Sequence, residues 1–302
     1  MKPDAQRRPW LPWLWAAPTA LLLLLLVLWP ALQLVRLSLC EGGGGRSGFG
    51  IGRSFYAPGT WTLSVYRDLL TDGYFWEILG FTVWLGGVVA ATCVLLAFPV
   101  AHFIWRLPAR WKPLALAAVV VPKLSSLLVT VYGLKLILGD HGPVNDFLIA
   151  AGLIEEPLAL QHSATGVVIG KVCLVVPYTI LLLWAGLERV DKTLIAAARG
   201  LGASAWQAFA RVTLPLSLPA LASATSISLI WALGAFISPY LLGSPQEITV
   251  SVDVQRQMFE NLHWPRGAAE GVGLLLALGI ITSGYGALHR GLARRLDPGG
   301  GA

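Results

Sequence analysis

Charged residues are scarce in this sequence. Asp, Glu, Lys and Arg make up 13% of the 302 residues, whereas 56% are hydrophobic and the mean hydropathy is +0.68. A water-soluble domain of this size cannot bury so much apolar surface, so the composition indicates an integral membrane protein. The net charge of +6 comes from basic residues scattered over several short loops. Because they form no patch, they argue against a nucleic-acid partner.

Cysteines are few, and catalytic motifs are missing. Cys93 and Cys173 fall inside apolar runs and Cys40 lies near the end of one, so no disulfide framework is expected. A phosphate-binding loop needs four residues between its glycines, whereas GVVIGKV at 166–172 has three and lacks the final Ser or Thr. The five histidines have no metal-site spacing. These absences argue against a membrane enzyme.

Six apolar runs are long enough to cross a membrane, which takes about 20 residues for a helix. They predict an all-α integral membrane fold with six transmembrane helices. The predicted spans are 13–37, 76–103, 114–138, 164–187, 214–242 and 271–288. The first run has a basic flank but is too long for the core of a signal peptide, so we expect it to remain as an uncleaved span.

Lys and Arg are unevenly divided between the loops on the two sides. Thirteen lie on the side of the termini and five on the other side. Because cytoplasmic loops carry the basic excess, both termini and the loop between the fourth and fifth spans are predicted to be cytoplasmic. On the opposite side, a Gly-rich loop is expected to end in a short interfacial helix at 65–70. The polar loop at 243–267 is expected to contact an external partner.

The loop between the fourth and fifth spans reads IAAARGLGASAWQAFARVTLPL at 195–216. Asp191 can cap a helix that begins near Lys192, in which apolar residues recur at helical spacing. Three successive alanines at 196–198 give that helix a surface of small side chains. Another protein can therefore approach its backbone closely.

The same loop then changes direction. Gly200 and Gly202 permit a turn that a residue with a Cβ would resist. A second short helix with Trp206 and Phe209 is expected to follow, and Pro215 to open the next span. Two interpretations remain: a knob shaped to fit a groove of a partner protein, or an amphipathic linker on the lipid surface.

This loop resembles the EAA loop of permease subunits of ATP-binding-cassette (ABC) importers. That motif runs from Glu-Ala-Ala through a glycine to an apolar-x-Leu-Pro ending. The matching positions are Ala197, Ala198, Gly202, Val212, Leu214 and Pro215. Ala196 replaces the usual Glu, which puts one charged contact in doubt. The segments LKLILGDHGPVNDFL and FISPYLLGSP resemble the spermidine/putrescine branch, and the resemblance covers residues 61–288.

The resemblance implies a type I ABC importer permease in the bacterial inner membrane. This chain would form half of a pore with a second permease subunit. ABC ATPase subunits would bind ATP and Mg, so no cofactor and no catalytic residue is expected in this chain. A periplasmic or extracellular solute-binding protein would deliver the solute. The residues implied to couple to the ATPase are Ala196, Ala197, Ala198, Arg199, Gly202, Ala203, Ser204, Phe209 and Arg211.

The predicted spans and the resemblance together divide the chain into segments. A cytoplasmic N-terminus (1–12) precedes the first helix and its external loop (13–75). A five-helix permease core (76–288) contains the coupling loop (190–213), and a cytoplasmic tail (289–302) follows.

Two lysines are predicted to lie deep in the membrane. Lys123 is eleven residues beyond Lys112, about 16 Å along a helix and half of a ~30 Å hydrocarbon core. Lys171 lies seven residues into the fourth span. A charge at this depth must face protein or water. The two lysines therefore line the solute route, or they bond to the sister subunit or to helix carbonyls freed near Pro122 and Pro177.

The solute remains open at this stage. Tyr178, Trp231 and Phe236 are candidates for the same route, or for ordinary core packing. The resemblance implies polyamines, whereas two deep lysines without a deep acid favour an anionic or zwitterionic solute such as a phosphonate or carboxylate. A secondary transporter is the rival class, because prolines interrupt the spans. No internal repeat supports that rival, and six spans are few for a self-sufficient carrier.

Overall fold

The computed structural model describes residues 11–42, 55–57 and 59–296. The predicted N-terminal segment 1–10, most of the Gly-rich stretch and the end of the tail at 297–302 lie outside the described residues. The chain divides into two compact units. One comprises the described parts of Met1–Gly73 with Val254–Gly273, and the other comprises Tyr74–Asp253 with the described part of Leu274–Ala302.

Helices make up most of the described chain. The α-helices are α1 Leu11–Ser38, α2 Ser64–Thr71, α3 Gly73–Arg106, α4 Lys112–Val120, α5 Leu127–Ile137, α6 Pro143–Ala150, α7 Ala164–Leu187, α8 Lys192–Gly200, α9 Ala205–Ala208, α10 Leu214–Gly234, α11 Ile237–Leu242, α12 Val250–Gln255 and α13 Trp264–Leu296. Two-residue strands, β1 Glu41–Gly42 and β2 Tyr56–Ala57, pair antiparallel. Within the described residues, five helices can cross a membrane, or six if one bent pair counts as a span.

The predicted spans correspond well to the long helices α1, α3 and α7, and the span at 164–187 has the same bounds as α7. The last span begins earlier than expected, at Trp264 instead of 271. The short helix expected at 65–70 is present as α2. The all-α membrane fold is therefore confirmed.

The third predicted span, 114–138, is not one straight helix. It consists of α4, a 3₁₀ turn at Val121–Leu124 and α5, with a bend of 90° between the two arms. Pro122 has no N–H to continue the α-helical ladder. Ser125 and Ser126 are extended, with ψ of 150° and 138°. The break places Lys123 in the tight turn just before the bend.

The fifth predicted span, 214–242, is also interrupted. Helix α10 ends at Gly234, Ala235 is extended with ψ of 121°, and α11 is a separate helix. A continuous helix would bring the ring of Pro239 against the carbonyl of Ala235, four residues earlier. In the structure that carbonyl accepts a hydrogen bond from Ser251 Oγ at 3.3 Å. Sequence hydropathy missed this break because both sides of it are apolar.

The core of the larger unit is formed around α7 and α10, which pack antiparallel through small and polar side chains. Thr179 Oγ1 and Ser228 Oγ share a hydrogen bond of 2.8 Å between buried hydroxyls. Near the other end of the pair, a Cβ on Gly186 would collide with the Cβ of Ala220. Close backbone approach of this kind is the usual basis of helix packing inside membranes.

In the smaller unit, a basic side chain joins two helical segments. Arg266 in α13 donates to Asp72, directly after α2, and to Glu270 Oε1 at 3.2 Å. The rings of Phe55 and Trp264 stack with their centroids 5.0 Å apart. Glu270 is fully buried, so its pairing with Arg266 offsets the cost of an acid inside the unit.

Candidate functional site

The segment at 190–213 is a helix–turn–helix, and its first helix is capped as predicted. Asp191 Oδ1 accepts a hydrogen bond of 2.8 Å from the backbone N–H of Thr193, at the first turn of α8. This hydrogen bond to the charged form holds the pKa of Asp191 below its usual value. A side chain without a hydrogen-bond acceptor at this position would leave the N-terminus of α8 without its cap.

The turn after α8 depends on Gly202. Its φ is +90°, a conformation that costs little only for glycine. The N–H of Ala203 bonds to the carbonyl of Ala198 at 3.1 Å, and the N–H of Gly202 bonds to that of Arg199 at 3.0 Å. This pair of bonds is a Schellman motif, which closes the helix C-terminus. The expectation that Gly200 shares the turn is wrong, because Gly200 is the last residue of α8.

The second helix begins with a capping box. Ser204 Oγ accepts from the N–H of Gln207 at 3.2 Å, and Gln207 Oε1 accepts from the N–H of Ser204 at 2.8 Å. A π turn at Phe209–Thr213 then joins α9 to α10. The next span therefore does not open at Pro215. The helix is continuous from Ala205 to Gly234, a length of 30 residues.

The turn between the two helices of this loop exposes two large apolar side chains. Leu201 is 90% exposed and Trp206 is 72% exposed. Leu194, Ala196 and Ala197 in α8 are also exposed. Large apolar side chains grouped on a loop usually mark a surface that another protein or a membrane covers.

The inner side of the loop packs on the ends of the long helices. Ile195 contacts a buried cluster that includes Trp105 and Leu187. The ring of Phe209 lies edge-on to His102, with their centroids 5.2 Å apart. Arg199 lines a cavity of about 390 Å³ together with Arg106 and Lys192. Arg211 is exposed and does not line that cavity.

Lys123 lies in a second cluster, at the break of the third span. Its Nζ donates to the carbonyl of Cys173 at 3.2 Å. In an unbroken α7 that carbonyl would accept from residue 177, which is proline and has no N–H. The carbonyl is therefore free for the lysine. This is one of the alternatives that the sequence left open for Lys123.

The predicted route residues Tyr178 and Trp231 come together beside this lysine. Their rings stack at 5.1 Å, and Lys123 Nζ lies 5.6 Å from the centre of the Tyr178 ring. Tyr178 is 37% exposed and Trp231 is 46% exposed, so both rings keep an open edge or face. Phe236 stacks on Tyr240 at 5.0 Å and forms a second aromatic pair after the end of α10.

Lys171 occupies a different environment. It has no exposed surface, and its Nζ donates to the carbonyl of Ala232 at 2.8 Å. That carbonyl belongs to the last turn of α10 and has no helical partner, because the helix ends two residues later. A cation favours the negative end of a helix dipole. Lys171 thus satisfies a carbonyl at the C-terminus of α10, and its burial favours a structural role over contact with solute.

Several participants were not identified from sequence alone. The Cys173 carbonyl could have been found by counting four residues back from Pro177. Tyr240 lies four residues after Phe236, the spacing of helix neighbours. Across residues 11–42, 55–57 and 59–296, no three His, Cys, Asp or Glu side chains converge as a metal site.

Comparisons with known proteins agree with this geometry. The family model described as binding-protein-dependent transport system inner membrane component matches residues 94–299. The spermidine/putrescine transport system permease protein PotB of Escherichia coli (strain K12) is 31% identical over 236 residues, covering 78% of this chain and 86% of that protein. Its Haemophilus influenzae counterpart is 30% identical over 246 residues, covering 82% and 85%.

Solved structures show the same fold. A chain of a bacterial ABC transporter involved in the import of the acidic polysaccharide alginate superposes with a TM-score of 0.72 at 18% identity, covering 94% of this chain and 96% of that one. A bacterial alginate ABC transporter in complex with alginate pentasaccharide-bound periplasmic protein gives a TM-score of 0.74 at 18% identity, covering 95% of this chain and 96% of that one. At this identity the likeness concerns the fold alone.

Proposed function

This chain belongs to the family of binding-protein-dependent transport system inner membrane components, and on that basis we propose that it carries a polyamine-like cation. It is a multi-pass inner-membrane permease subunit of an ABC importer, and ATP is hydrolysed by partner ATPase subunits. We propose that a second permease completes the pore and that an external binding protein delivers the solute.

The observation that carries the solute class is the exposed aromatic pair Tyr178–Trp231. Aromatic faces attract ammonium groups by about 0.5–2 kcal/mol each, more where water is excluded. Phe236 and Tyr240 offer a second pair in the same unit. A polyamine has two or more ammonium groups on an apolar chain. The faces of the rings can bind the ammonium groups, and their apolar surface can contact the chain. The names of the relatives support the same class.

The 190–213 loop is proposed as the coupling site for the ATPase, with both chain termini on the same, cytoplasmic side. Its support is the apolar tip formed by Leu201 and Trp206 on either side of the turn, together with the exposed small residues Ala196 and Ala197. The Schellman turn and the capping box hold this tip in one shape. The residues proposed to meet or shape the contact are Ala196, Ala197, Ala198, Arg199, Gly202, Ala203, Ser204, Phe209 and Arg211.

One helix connects this loop to the aromatic pair. The segment Ala205–Gly234 leaves the loop at the capping box and carries Trp231 three residues before its end. At 1.5 Å per residue it is about 45 Å long. We propose that closure of the ATPases moves the loop and that this helix transmits the movement to Trp231. The pore then changes between inward-open and outward-open states.

A direct test begins with the partner binding protein. Its thermal shift is measured with putrescine, spermidine and small phosphonates, and ATP-driven uptake of the same compounds is measured in proteoliposomes that hold the complete transporter. We expect binding and uptake of a polyamine. An ATPase-deficient partner serves as the control for uptake. Binding and uptake of a phosphonate instead would contradict the proposed solute class.

A further inference from the structure

Lys123 occupies the place where a transported ammonium group is expected to bind. Its Nζ lies 5.6 Å from the centre of the Tyr178 ring, within the range of a cation–π contact. The same ring stacks on Trp231. The aromatic pair therefore already holds a cation that belongs to the chain itself.

This lysine is held loosely. Its one hydrogen bond among the described contacts goes to the Cys173 carbonyl, at 3.2 Å. None of the ion pairs between described residues includes Lys123. A neutral carbonyl does not cancel the charge, so the ammonium still repels any second cation that approaches the ring.

Lys171, in the same unit, is held more firmly than Lys123. It is fully buried and bonds at 2.8 Å to a carbonyl at a helix end. Lys123 is instead partly exposed, in a short 3₁₀ turn next to a 90° bend. Its flexible four-carbon side chain can therefore move the ammonium away from the Tyr178 ring.

We propose that Lys123 is a built-in competitor for the aromatic site, which an ammonium group of the solute displaces from the Tyr178 ring during transport. The inference rests on the proposed function, because it requires a cationic solute. It gives the lysine a defined role that does not conflict with such a solute. The tethered cation keeps the rings from binding a passing polyamine tightly, so the solute is released onward.

The test measures equilibrium binding of radiolabelled spermidine to the complete transporter in nanodiscs, without the binding protein. Lys123→Met removes the charge and keeps an unbranched side chain one atom shorter, and we expect it to tighten binding on the order of tenfold. Lys123→Arg keeps a cation and should bind as the wild type does. Lys135→Met is the matched control, because Lys135 makes no described contact with these rings. Adding Tyr178→Leu to Lys123→Met should abolish the gain.

The outcomes separate the two proposals. Unchanged or weaker binding in Lys123→Met, with spermidine still taken up by the wild type, would overturn the competitor role and leave the polyamine proposal standing. Absence of spermidine binding and uptake in the wild type would overturn the solute class and the competitor together. Gel filtration and ATPase activity report assembly of each variant, and Lys123→Gln replaces Lys123→Met if that variant does not assemble.

Discussion

Replacing Gly202 by alanine tests the coupling loop most directly. Gly202 has a φ of +90°, and a Cβ added there would meet nothing within 4 Å. The substitution therefore creates no clash, and its whole cost is that of the left-handed backbone. A left-handed backbone costs a residue with a Cβ roughly 1–2 kcal/mol. A cost of this size lowers the population of the native turn, relative to other conformations of the loop, by roughly 5- to 30-fold.

Gly200→Ala is the matched control. Gly200 ends α8 with helical backbone, and a Cβ there also meets nothing within 4 Å. Both variants add one methyl group to the same exposed loop, so only the backbone conformation distinguishes them. Alanine at a helical position is favoured by up to ~1 kcal/mol over glycine. We expect the control to transport at least as well as the wild type.

The assay is solute taken up per ATP hydrolysed, in proteoliposomes that hold the complete transporter. We expect a loss of several fold in Gly202→Ala, with normal insertion of the chain. Gly202→Asn should lie between Ala and Gly, because asparagine tolerates this conformation better. Wild-type coupling in Gly202→Ala, or an equal loss in Gly200→Ala, would refute the claim that coupling depends on this turn.

Further substitutions test other parts of the structure. Ser204→Ala removes the capping box, which costs about 1 kcal/mol, and should lower the solute taken up per ATP hydrolysed at elevated temperature. Ser204→Asp provides another cap acceptor and should restore this ratio. Equal uptake by Ser204→Ala and the wild type across a temperature series would argue against a role for the cap. Lys171→Met leaves the Ala232 carbonyl without a partner, at a cost of about 1–3 kcal/mol. Its thermal unfolding midpoint in detergent should fall, whereas that of Lys135→Met should not; an unchanged midpoint would mean that another group satisfies the carbonyl. For topology, in a background without the native cysteines, an impermeant thiol reagent added outside should label a cysteine at Gln246 and not one at position 204. The reverse pattern would invert the proposed orientation.

Local chemistry made parts of the structure readable from the sequence. The bounds of α7 were predicted because Lys171 is the one charged residue in the apolar run at 164–187, and the charged residues 188 and 189 follow it. The cap at Asp191 was predicted because a short acceptor before a helix satisfies a free N–H in almost any context. The loop at 190–213 was identified because its pattern of alanines and glycine is contained within a few turns.

The breaks in the third and fifth spans were not readable in the same way. Hydropathy measures how well a residue tolerates lipid, and it does not change where a helix bends. Prolines marked both places, but a proline inside a membrane helix is compatible with a mild kink or with a complete break. The 90° bend near Lys123 and the separate α11 were settled by the way these segments pack on α7.

By itself, the sequence determined the class of the protein, the number of apolar runs, the cap at Asp191 and the resemblance of the 190–213 loop to a transport family. These follow from composition and from interactions between residues close together in the chain. Tertiary structure decided which groups the two deep lysines, Lys123 and Lys171, contact. Both are cations in apolar runs, yet one closes a helix end in the core and the other stands over an aromatic ring. The difference arises because their partners, Ala232 and Tyr178, are brought to them by packing between helices distant in the chain, and no local pattern specifies such a contact.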